Sequence, residues 1–463
     1  MDGEAQIDLS SAEALVDDAI GPLPPAFSED ALALIFSAQH EGQLLYVPAW
    51  GHWLRWDGCR WARDETLSVF DLCREVCRDA AAEAKQLEKG KPIARKVASA
   101  ATVASVDKLA RSDRRHARAS DEFDADPWAL NTPAGVIDLR TGEIRPHRLG
   151  DLFTKVTSVA PGGRCPRWLR FMVQITHRDK ALVRFLQRLI GYSLTGITRE
   201  HAFAFLWGPG GNGKSVLLGT IAAMLGDYAT TAMADVFTVT RSEQHPTHLA
   251  TLRGARFVVV TETEEGRAWA ESRIKSLTGG DRISARVMRG DPFEFTPAFK
   301  LWIAGNHRPA LRNPDPAMRR RLNLVPLTFV PAKPETGLSD TLRQELPGIL
   351  AWAIRGCLAW QCDGLNPPDV VRLATDEYFV EQDSISNWFA ERCERTRGAE
   401  NAPSRELYGD WREWAQIRGE MPGSEKWFSE GLQRIAVKKR TNSGAVFLGV
   451  RLRAGGPGQG GGA

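Results

Sequence analysis

The sequence lacks long apolar runs, paired cysteines and a strong charge excess, and each absence excludes a class of protein. No stretch of about 18 apolar residues occurs, so no membrane-spanning helix is expected. The seven cysteines are scattered without a C-x-x-C pair, and we interpret them as packed thiols of a reducing compartment. The formal net charge is only +3, so any contact with nucleic acid must come from local basic patches.

The first residues also lack the features of a secretory signal. The segment 1–25 is acidic and contains no basic stretch followed by a long apolar one. We therefore expect a soluble protein of the bacterial cytoplasm with no membrane partner.

The most informative segment that is present is a glycine-rich loop at residues 208–215. Its sequence, GPGGNGKS, fits the phosphate-loop pattern G-x-x-x-x-G-K-[ST] and stands between a predicted strand (202–207) and a predicted helix (216–225). Such a loop directs backbone N–H groups at phosphate oxygens, and the helix N-terminus adds partial positive charge. The pattern predicts ATP bound by Gly208, Pro209, Gly210, Gly211, Asn212, Gly213, Lys214, Ser215 and Val216.

Acidic residues follow the next predicted strand, 256–261, and complete a magnesium site. The Ser215 hydroxyl is expected to ligate Mg²⁺, with a carboxylate at the strand end as its partner. A second carboxylate there could orient the attacking water. Glu262 and Glu264 share these two roles, and the sequence does not decide which residue takes which.

A third predicted strand, 299–304, and an arginine run supply two further catalytic candidates. Asn306, just beyond that strand, is expected to contact the γ-phosphate or the lytic water. Three consecutive arginines, 319–321, stand directly before another strand, and burying them without anions would be costly. Arg320 or Arg321 is therefore expected to act as an arginine finger across a subunit interface.

Between the second and third strands, residues 275–295 predict a short helix, a Gly-Gly break and a basic hairpin. Arg286 and Arg289 near its tip could follow a phosphate backbone in a central channel. An ordinary exposed hairpin explains the same pattern equally well.

The remaining sequence predicts an α/β protein of several parts. Alternating residues around Asp57-Gly58 and 140–142 predict hairpins, and helices are expected near 66–87 and 92–118. Two helices and a basic hairpin near the end are consistent with a winged helix. We predict a disordered leader (1–27), an N-terminal domain (28–164), a P-loop core with preceding helices (165–335), a helical lid region (336–400), a winged-helix-like module (401–453) and a disordered tail (454–463).

The ordered motifs GPGGNGKS, FVVVTETEEG, KSLTGGDRISAR, FKLWIAGNHRP and MRRRL resemble the superfamily 3 helicases, in particular the helicase part of the phage and plasmid primase-helicases. The segments WLRWDGCRW and LNTPAGVIDLRTGEIRP are similar to the helicase-associated N-terminal domain of that family. The resemblance extends over most of residues 30–450. The acidic motif of the family has two adjacent acidic residues, whereas the sequence here is Glu-Thr-Glu.

The resemblance implies an AAA+-like P-loop core, a hexameric ring with ATP between subunits, and movement of single-stranded DNA through the channel. Lys214 and Ser215 match the phosphate loop, Glu262 and Glu264 the acidic motif, Asn306 the sensor, and Arg320 or Arg321 the finger. Lys275, Arg282, Arg286 and Arg289 lie in the stretch that matches the family's DNA contacts. We expect no primase domain in this chain and a separate protein to supply priming.

The leading hypothesis is an ATP-driven DNA helicase that unwinds forked DNA during replication of a phage or plasmid-type element. One alternative is a P-loop kinase or other NTPase that acts on a small molecule. The other is a DNA-binding initiator or loader that uses ATP only to assemble, with its end module docking on duplex DNA.

Overall fold

The computed structural model describes residues 23–87, 91–239, 247–261, 267–286, 290–311, 315–333, 335–396, 400–418, 422–441 and 444–453. Most of the predicted leader, the predicted tail, and Glu262, Glu264 and Arg289 lie outside these residues. None of the helices in the described ranges is both long and apolar enough to cross a membrane.

The N-terminal part combines two small antiparallel sheets with short helices. Its elements are α1 (Glu29–Gln39), β1 (Leu44–Val47), β2 (His52–Trp56), β3 (Trp61–Arg63), α2 (Ser68–Ala84), α3 (Lys91–Val97), α4 (Ala100–Ala110), β4 (Ala129–Thr132), β5 (Gly135–Asp138) and β6 (Glu143–Arg145). Both predicted hairpins are confirmed: Trp56 pairs with Trp61 around the Asp-Gly turn, and β5 pairs with β6.

The single helix predicted near 92–118 is wrong, because the chain forms two shorter helices there. The Ser99 side chain accepts a hydrogen bond from the Thr102 amide at 3.2 Å and thereby starts α4. Such a cap marks a helix start, so α3 ends before it. Helix α4 ends at Ala110, and residues 111–118 are not helical.

The central part is built on one parallel sheet. Its elements are α5 (Pro166–Ile175), α6 (Lys180–Ser193), β7 (Phe203–Trp207), α7 (Lys214–Leu225), β8 (Ala229–Thr231), α8 (Thr247–Ala250), β9 (Phe257–Thr261), α9 (Glu271–Gly279), β10 (Ile283–Arg286), β11 (Pro292–Phe295), β12 (Lys300–Gly305), α10 (Pro316–Arg319) and β13 (Leu322–Pro326). The sheet has five parallel strands in the order β13-β7-β12-β9-β8, which confirms the α/β class.

Apolar residues cover both faces of this sheet, as expected for a buried parallel sheet. Ala204 and Leu206 of β7 face a core shared with α5, α6 and α7, whereas Phe203 and Phe205 face the opposite core. Since the strands are parallel, their carboxyl ends share one edge, at which ligands of open α/β sheets bind.

Helices continue the chain beyond the sheet, and a small α+β unit ends it. The elements are α11 (Leu338–Gln344), α12 (Leu346–Asp363), α13 (Asp369–Gln382), α14 (Ser384–Arg392), β14 (Cys393–Arg395), β15 (Asn401–Pro403), α15 (Ser404–Ile417), α16 (Glu425–Leu432), β16 (Lys438–Thr441), β17 (Gly444–Leu448) and β18 (Val450–Leu452). Strands β15, β17 and β16 form an antiparallel sheet with β16 at one edge. The two helices and the hairpin match the predicted elements, while the winged-helix assignment and the domain boundaries stay predictions.

Candidate nucleotide-binding site

The glycine loop connects β7 to α7 with a geometry that requires glycine at two positions. Gly208 has a φ of +154°, and a Cβ there would overlap the carbonyl oxygen of Leu327. Gly213 has a φ of +88°, and a Cβ there would lie 3.0 Å from a ring carbon of Phe171. Only glycine adopts these conformations without strain, so both residues shape the loop.

Lys214 is held by the loop that precedes it. Its ammonium donates to the carbonyl oxygens of Gly208 (2.7 Å) and Pro209 (2.9 Å) and to the Oδ1 atoms of Asn212 and Asn306, both at 3.0 Å. The residue is 7% exposed, and burial lowers the pKa of its ammonium. These oxygens occupy the donor directions that phosphate oxygens would take from the same ammonium.

Asn306 reaches Lys214 because its strand neighbours the loop-bearing strand. Strand β12 pairs in parallel with β7, with Gly305 opposite Trp207, so Asn306 follows at the edge where the loop begins. The structure thus brings together two predicted site residues that are 92 positions apart.

A cavity of about 930 Å³ opens beside the loop. Residues 210–216, Thr261 at the end of β9 and residues 304–307 line one side, and α5 and the segment after β13 line the other. Glu262 directly follows Thr261, but the predicted acidic pair lies outside the described residues. The chain therefore enters its acidic segment from a strand end that borders the cavity.

The residues at the loop fit a magnesium ion that is bound mainly through a phosphate. Ser215 is exposed and lines the cavity. Within the described ranges, no group of three or more His, Cys, Asp or Glu side chains is placed to hold a metal. Mg²⁺ is commonly held by one or two protein oxygens together with substrate phosphates, and Ser215 supplies such an oxygen.

The two finger candidates lie at the opposite edge of the sheet from the loop. The Phe203 amide, at the start of β7, donates to the carbonyl of Arg321 at 2.8 Å. The Arg321 side chain folds back on the Ala317 carbonyl at 3.0 Å, whereas the Arg320 side chain is exposed and makes no hydrogen bond or ion pair with another described residue. Because the loop starts where β7 ends, neither arginine is beside the phosphate loop of its own chain.

The predicted DNA-contacting residues fall into three different settings. Strands β10 and β11 form the expected hairpin, with Arg282 78% exposed and Arg286 exposed beside the Gly290 carbonyl. Lys275 lies on α9 instead and forms an ion pair with Asp315, which offsets its charge. Arg289 lies outside the described residues.

Sequence reasoning missed the side of the cavity formed by α5 and the segment 329–340. Arg167, Phe171 and Ile175 of α5 line it, together with Glu335. The amphipathic pattern of α5 indicated a buried face but not what that face borders. Arg167 and Glu335 are 168 positions apart and belong to no contiguous motif, so no local signal pairs them.

Comparison with known proteins identifies two parts of the chain. Residues 33–177 match the family described as D5 N terminal like, and residues 206–321 match a family of unknown function, DUF5906. The second match contains the glycine loop, Asn306 and the arginine run.

Relatives of the chain occur in large DNA viruses. The chain is 26% identical over 271 residues to "Putative helicase L207/L206" of Acanthamoeba polyphaga mimivirus, covering 53% of this chain and 28% of the relative. It is 26% identical over 260 residues to "Putative helicase 022R" of Frog virus 3 (isolate Goorha), covering 51% and 26%. The chain thus spans about a quarter of the length of these curated relatives.

Among solved structures, the apo C-terminal region of NrS-1 aligns with 93% of this chain and 100% of its own, at 10% identity and a TM-score of 0.48. The family matches and the viral relatives confirm the resemblance to superfamily 3 primase-helicases that the motifs indicated. The chain is thus similar to the D5 N-terminal family over residues 33–177, this part precedes the glycine loop, and the viral relatives are named "Putative helicase".

Proposed function

We propose that the chain is an ATP-dependent DNA helicase of superfamily 3 that works as a homo-oligomeric, hexameric ring. The observation that carries the proposal is the contact between Lys214 and Asn306 at the mouth of the glycine loop. One residue follows the strand that ends in the loop and the other follows its neighbour, so a γ-phosphate between them would touch both. A polar side chain beside the γ-phosphate, such as Asn306 here, distinguishes a triphosphate site from a general anion site.

Hydrolysis is assigned to Lys214, Asn306, Ser215 and the acidic segment that follows β9. Ser215 and one of the two glutamates Glu262 and Glu264 would hold Mg²⁺ together with the phosphates, and the other glutamate would orient the attacking water. The metal would supply positive charge to the transferring phosphoryl group. Lys214 leaves the loop carbonyls for the phosphate oxygens, a change that requires only rotation of its side chain.

The position of the arginines supports action between subunits. Arg320 is exposed at the end of the sheet remote from its own loop, so it can serve only a neighbour's triphosphate. This geometry favours Arg320 over Arg321, whose guanidinium is bound to its own helix. Supplying the finger in trans links hydrolysis to the arrangement of the ring.

Single-stranded DNA is assigned to the hairpin of β10 and β11. Arg282 and Arg286 present cations on an exposed hairpin, and Arg289, which lies outside the described residues, is a further cation of the same stretch of sequence. Lys275 is a weaker candidate, since it pairs closely with Asp315 and is 26% exposed, whereas Arg282 pairs with Glu294 only at 3.8 Å and is 78% exposed. The DNA belongs to the replication fork of a virus, phage or plasmid-type element, with a separate primase as partner. The relatives named above are viral, and the bacterial cytoplasm stays a prediction.

A second candidate, an initiator or loader that binds duplex DNA, is favoured by the charge of the C-terminal unit. Residues 422–453 contain seven Lys or Arg and two Asp or Glu, an excess of five in a chain whose net charge is +3. All four residues of the edge strand β16 are exposed. Lysines on an edge strand also discourage sheet aggregation, which explains part of this charge without DNA.

A strand-displacement assay on a forked duplex tests the proposal. Wild type with ATP and Mg²⁺ should separate the strands, and the particle mass should correspond to a ring. Lys214→Ala should neither hydrolyse ATP nor unwind the duplex. Lys180 is an exposed lysine on α6, and Lys180→Ala serves as the matched control. Wild-type protein that stays monomeric with nucleotide and DNA and separates no strands would contradict the helicase.

The double variant Glu262→Gln, Glu264→Gln separates the two candidates. A helicase that binds ATP without splitting it should assemble on DNA and stall. A loader that needs ATP only for assembly should keep its function in this variant. Stimulation of ATP hydrolysis by single-stranded DNA further distinguishes both from a kinase acting on a small molecule.

A further inference from the structure

The cavity beside the glycine loop extends well beyond the space that a triphosphate chain needs. Part of its lining comes from α5 and from described residues between Phe329 and Asp340, and both lie outside the segment 206–321 that matches the family of unknown function. This part of the lining contributes an apolar surface and the ion pair between Arg167 and the half-exposed Glu335, neither of which the phosphate-binding chemistry uses.

The apolar surface consists of Phe171 and Ile175. Both are buried, at 3% exposure each, and both pack next to Gly213 at the base of the loop. They are four residues apart on α5 and so occupy one face of the helix. Arg167, another four residues back, continues the same face into the cavity.

Arg167 lies about two helical turns from the residue of α5 that packs against the loop. Ile175 touches Gly213, and eight residues of helix separate it from Arg167, which corresponds to about 12 Å along the axis. The phosphates occupy the loop end, where Lys214 lies. A nucleotide whose phosphates bind at Lys214 would therefore approach Arg167 with the end remote from its γ-phosphate.

The hydrogen bonds of Arg167 leave one of its nitrogen atoms, Nη1, without a partner among the described residues. Its Nε donates to Glu335 Oε1 at 3.2 Å, and its Nη2 makes a second bond to the same carboxylate. The side chain is 13% exposed, and its Nη1 is buried without a hydrogen-bond partner among the described residues. A buried donor without an acceptor is unfavourable, so an acceptor that reached Nη1 as the side chain adjusts would remove this cost.

Helix α5 is itself held firmly at this end. The Glu345 carboxylate accepts from the backbone amides of Arg167 (3.0 Å) and Trp168 (2.8 Å). The backbone of Arg167 is thus fixed by Glu345, and its guanidinium is fixed by Glu335. A donor fixed in this way is suited to select a ligand by the position of its acceptors.

We propose that Arg167, positioned by Glu335, donates to the acceptor edge of a purine base, with Phe171 and Ile175 forming the apolar wall of this subsite. Purines present acceptor atoms such as N7, and O6 in guanine, to a guanidinium. The subsite rests on the proposed function, because it assumes that the triphosphate occupies the loop. Glu335 is a positioning residue here, since it acts through Arg167.

The test compares a complete nucleotide with its phosphate part alone. Calorimetry should measure binding of Mg-ATP, Mg-UTP and Mg-tripolyphosphate to wild type, Arg167→Ala and the control Arg170→Ala, an exposed arginine on the same helix. We expect Arg167→Ala to weaken ATP binding about tenfold, towards the affinity for UTP. Binding of tripolyphosphate should change less than about twofold, and Arg170→Ala should resemble wild type.

Equal losses for ATP and tripolyphosphate in Arg167→Ala would overturn the subsite, and so would unchanged ATP binding. Wild type that binds tripolyphosphate but does not prefer ATP to UTP would overturn the subsite while leaving the loop assignment intact. Wild type that binds neither ATP nor tripolyphosphate would overturn the proposed function, and the subsite with it.

Glu335→Gln provides a second variant that does not endanger the fold, since the carboxylate is half-exposed. It should weaken ATP binding about threefold, and Glu335→Asp should recover part of the loss. In the Arg167→Ala background it should cause no further loss, because a residue that acts only through Arg167 is silent once Arg167 is gone. A further loss in that background would overturn the positioning role.

Discussion

The strands of the central sheet have their carboxyl ends along one edge of the sheet and their amino ends along the opposite edge. A buried lysine lies at each of these two edges and donates to backbone carbonyls. At the carboxyl edge, Lys214 donates to the carbonyls of Gly208 and Pro209. At the amino edge, Lys300 donates to the carbonyls of Thr195, Ile197 (3.3 Å) and Ala298 (3.1 Å). Burial lowers the pKa of both ammonium groups, most strongly for Lys300.

The surroundings of the two lysines differ more than their bonds do. Lys214 borders a cavity of about 930 Å³, whereas Lys300 is 2% exposed and also lies 4.9 Å from the centre of the Tyr192 ring. Arg256 accompanies it, donating to the carbonyls of Leu194 and Ala129, both at 2.8 Å. The amino edge therefore fastens the sheet to earlier parts of the chain, while the carboxyl edge is open to a ligand.

The largest expected effect at either edge is the loss of ATP hydrolysis when Lys214 is replaced. Lys214→Ala removes the ammonium that we assign to the β and γ phosphates, so ATP hydrolysis should fall by a hundredfold or more, to about background. Steady-state ATPase measurements with and without single-stranded DNA check this. The control Lys180→Ala should retain wild-type turnover, and normal turnover in Lys214→Ala would refute the site.

The contrast between the two edges also shows what could be read from the sequence. The strand, loop and helix around Lys214 are contiguous, and their chemistry is written in eight adjacent residues. Asn306 could be predicted as a site residue because it follows a strongly apolar strand, and the ends of parallel strands meet at one edge. The hairpins around Asp57-Gly58 and residues 140–142 carried equally local turn signals.

The features that escaped prediction join distant segments. Lys300 meets residues 195–197, and Arg167 meets Glu335, with no periodic pattern to connect them. Ser99 is a different case, because the residue that caps α4 lies inside the segment that was predicted as one helix. Which carbonyl receives which cation depends on tertiary packing, and a single sequence does not encode that locally.

The shape of the loop should matter nearly as much as its lysine. Gly208→Ala places a methyl group against the Leu327 carbonyl at a positive φ, so we expect ATP binding to weaken about a hundredfold or more. Gly210→Ala is the matched control, because a Cβ there has no neighbour within 4 Å. Titration with ATP should separate the two variants. Equal affinities would show that the loop does not need its observed geometry.

The arginines near the amino edge should act on a neighbouring subunit and not on their own. Arg320→Ala subunits mixed into wild-type rings should lower ATP hydrolysis more than in proportion to their share, because each one disables a neighbour's site. Arg321→Ala should have the smaller effect of this kind, since its guanidinium is bound to Ala317. ATPase activity measured across mixing ratios provides the test. A strictly proportional loss in both series would argue against a finger in trans.

The smallest effect concerns stability and compares the two lysines directly. Lys300→Met keeps most of the side-chain volume but leaves carbonyls of Thr195, Ile197 and Ala298 buried without their donor. We expect it to lower the free energy of unfolding by about 1–3 kcal/mol, the usual cost of a buried unsatisfied acceptor. Lys214→Met should cost less than about 1 kcal/mol, because water in the cavity can solvate the carbonyls of Gly208 and Pro209. Denaturant midpoints followed by tryptophan fluorescence measure both variants. If the two substitutions lower the free energy of unfolding equally, the cavity does not distinguish the two lysines. The division of the sheet into an anchored edge and an open edge is then wrong.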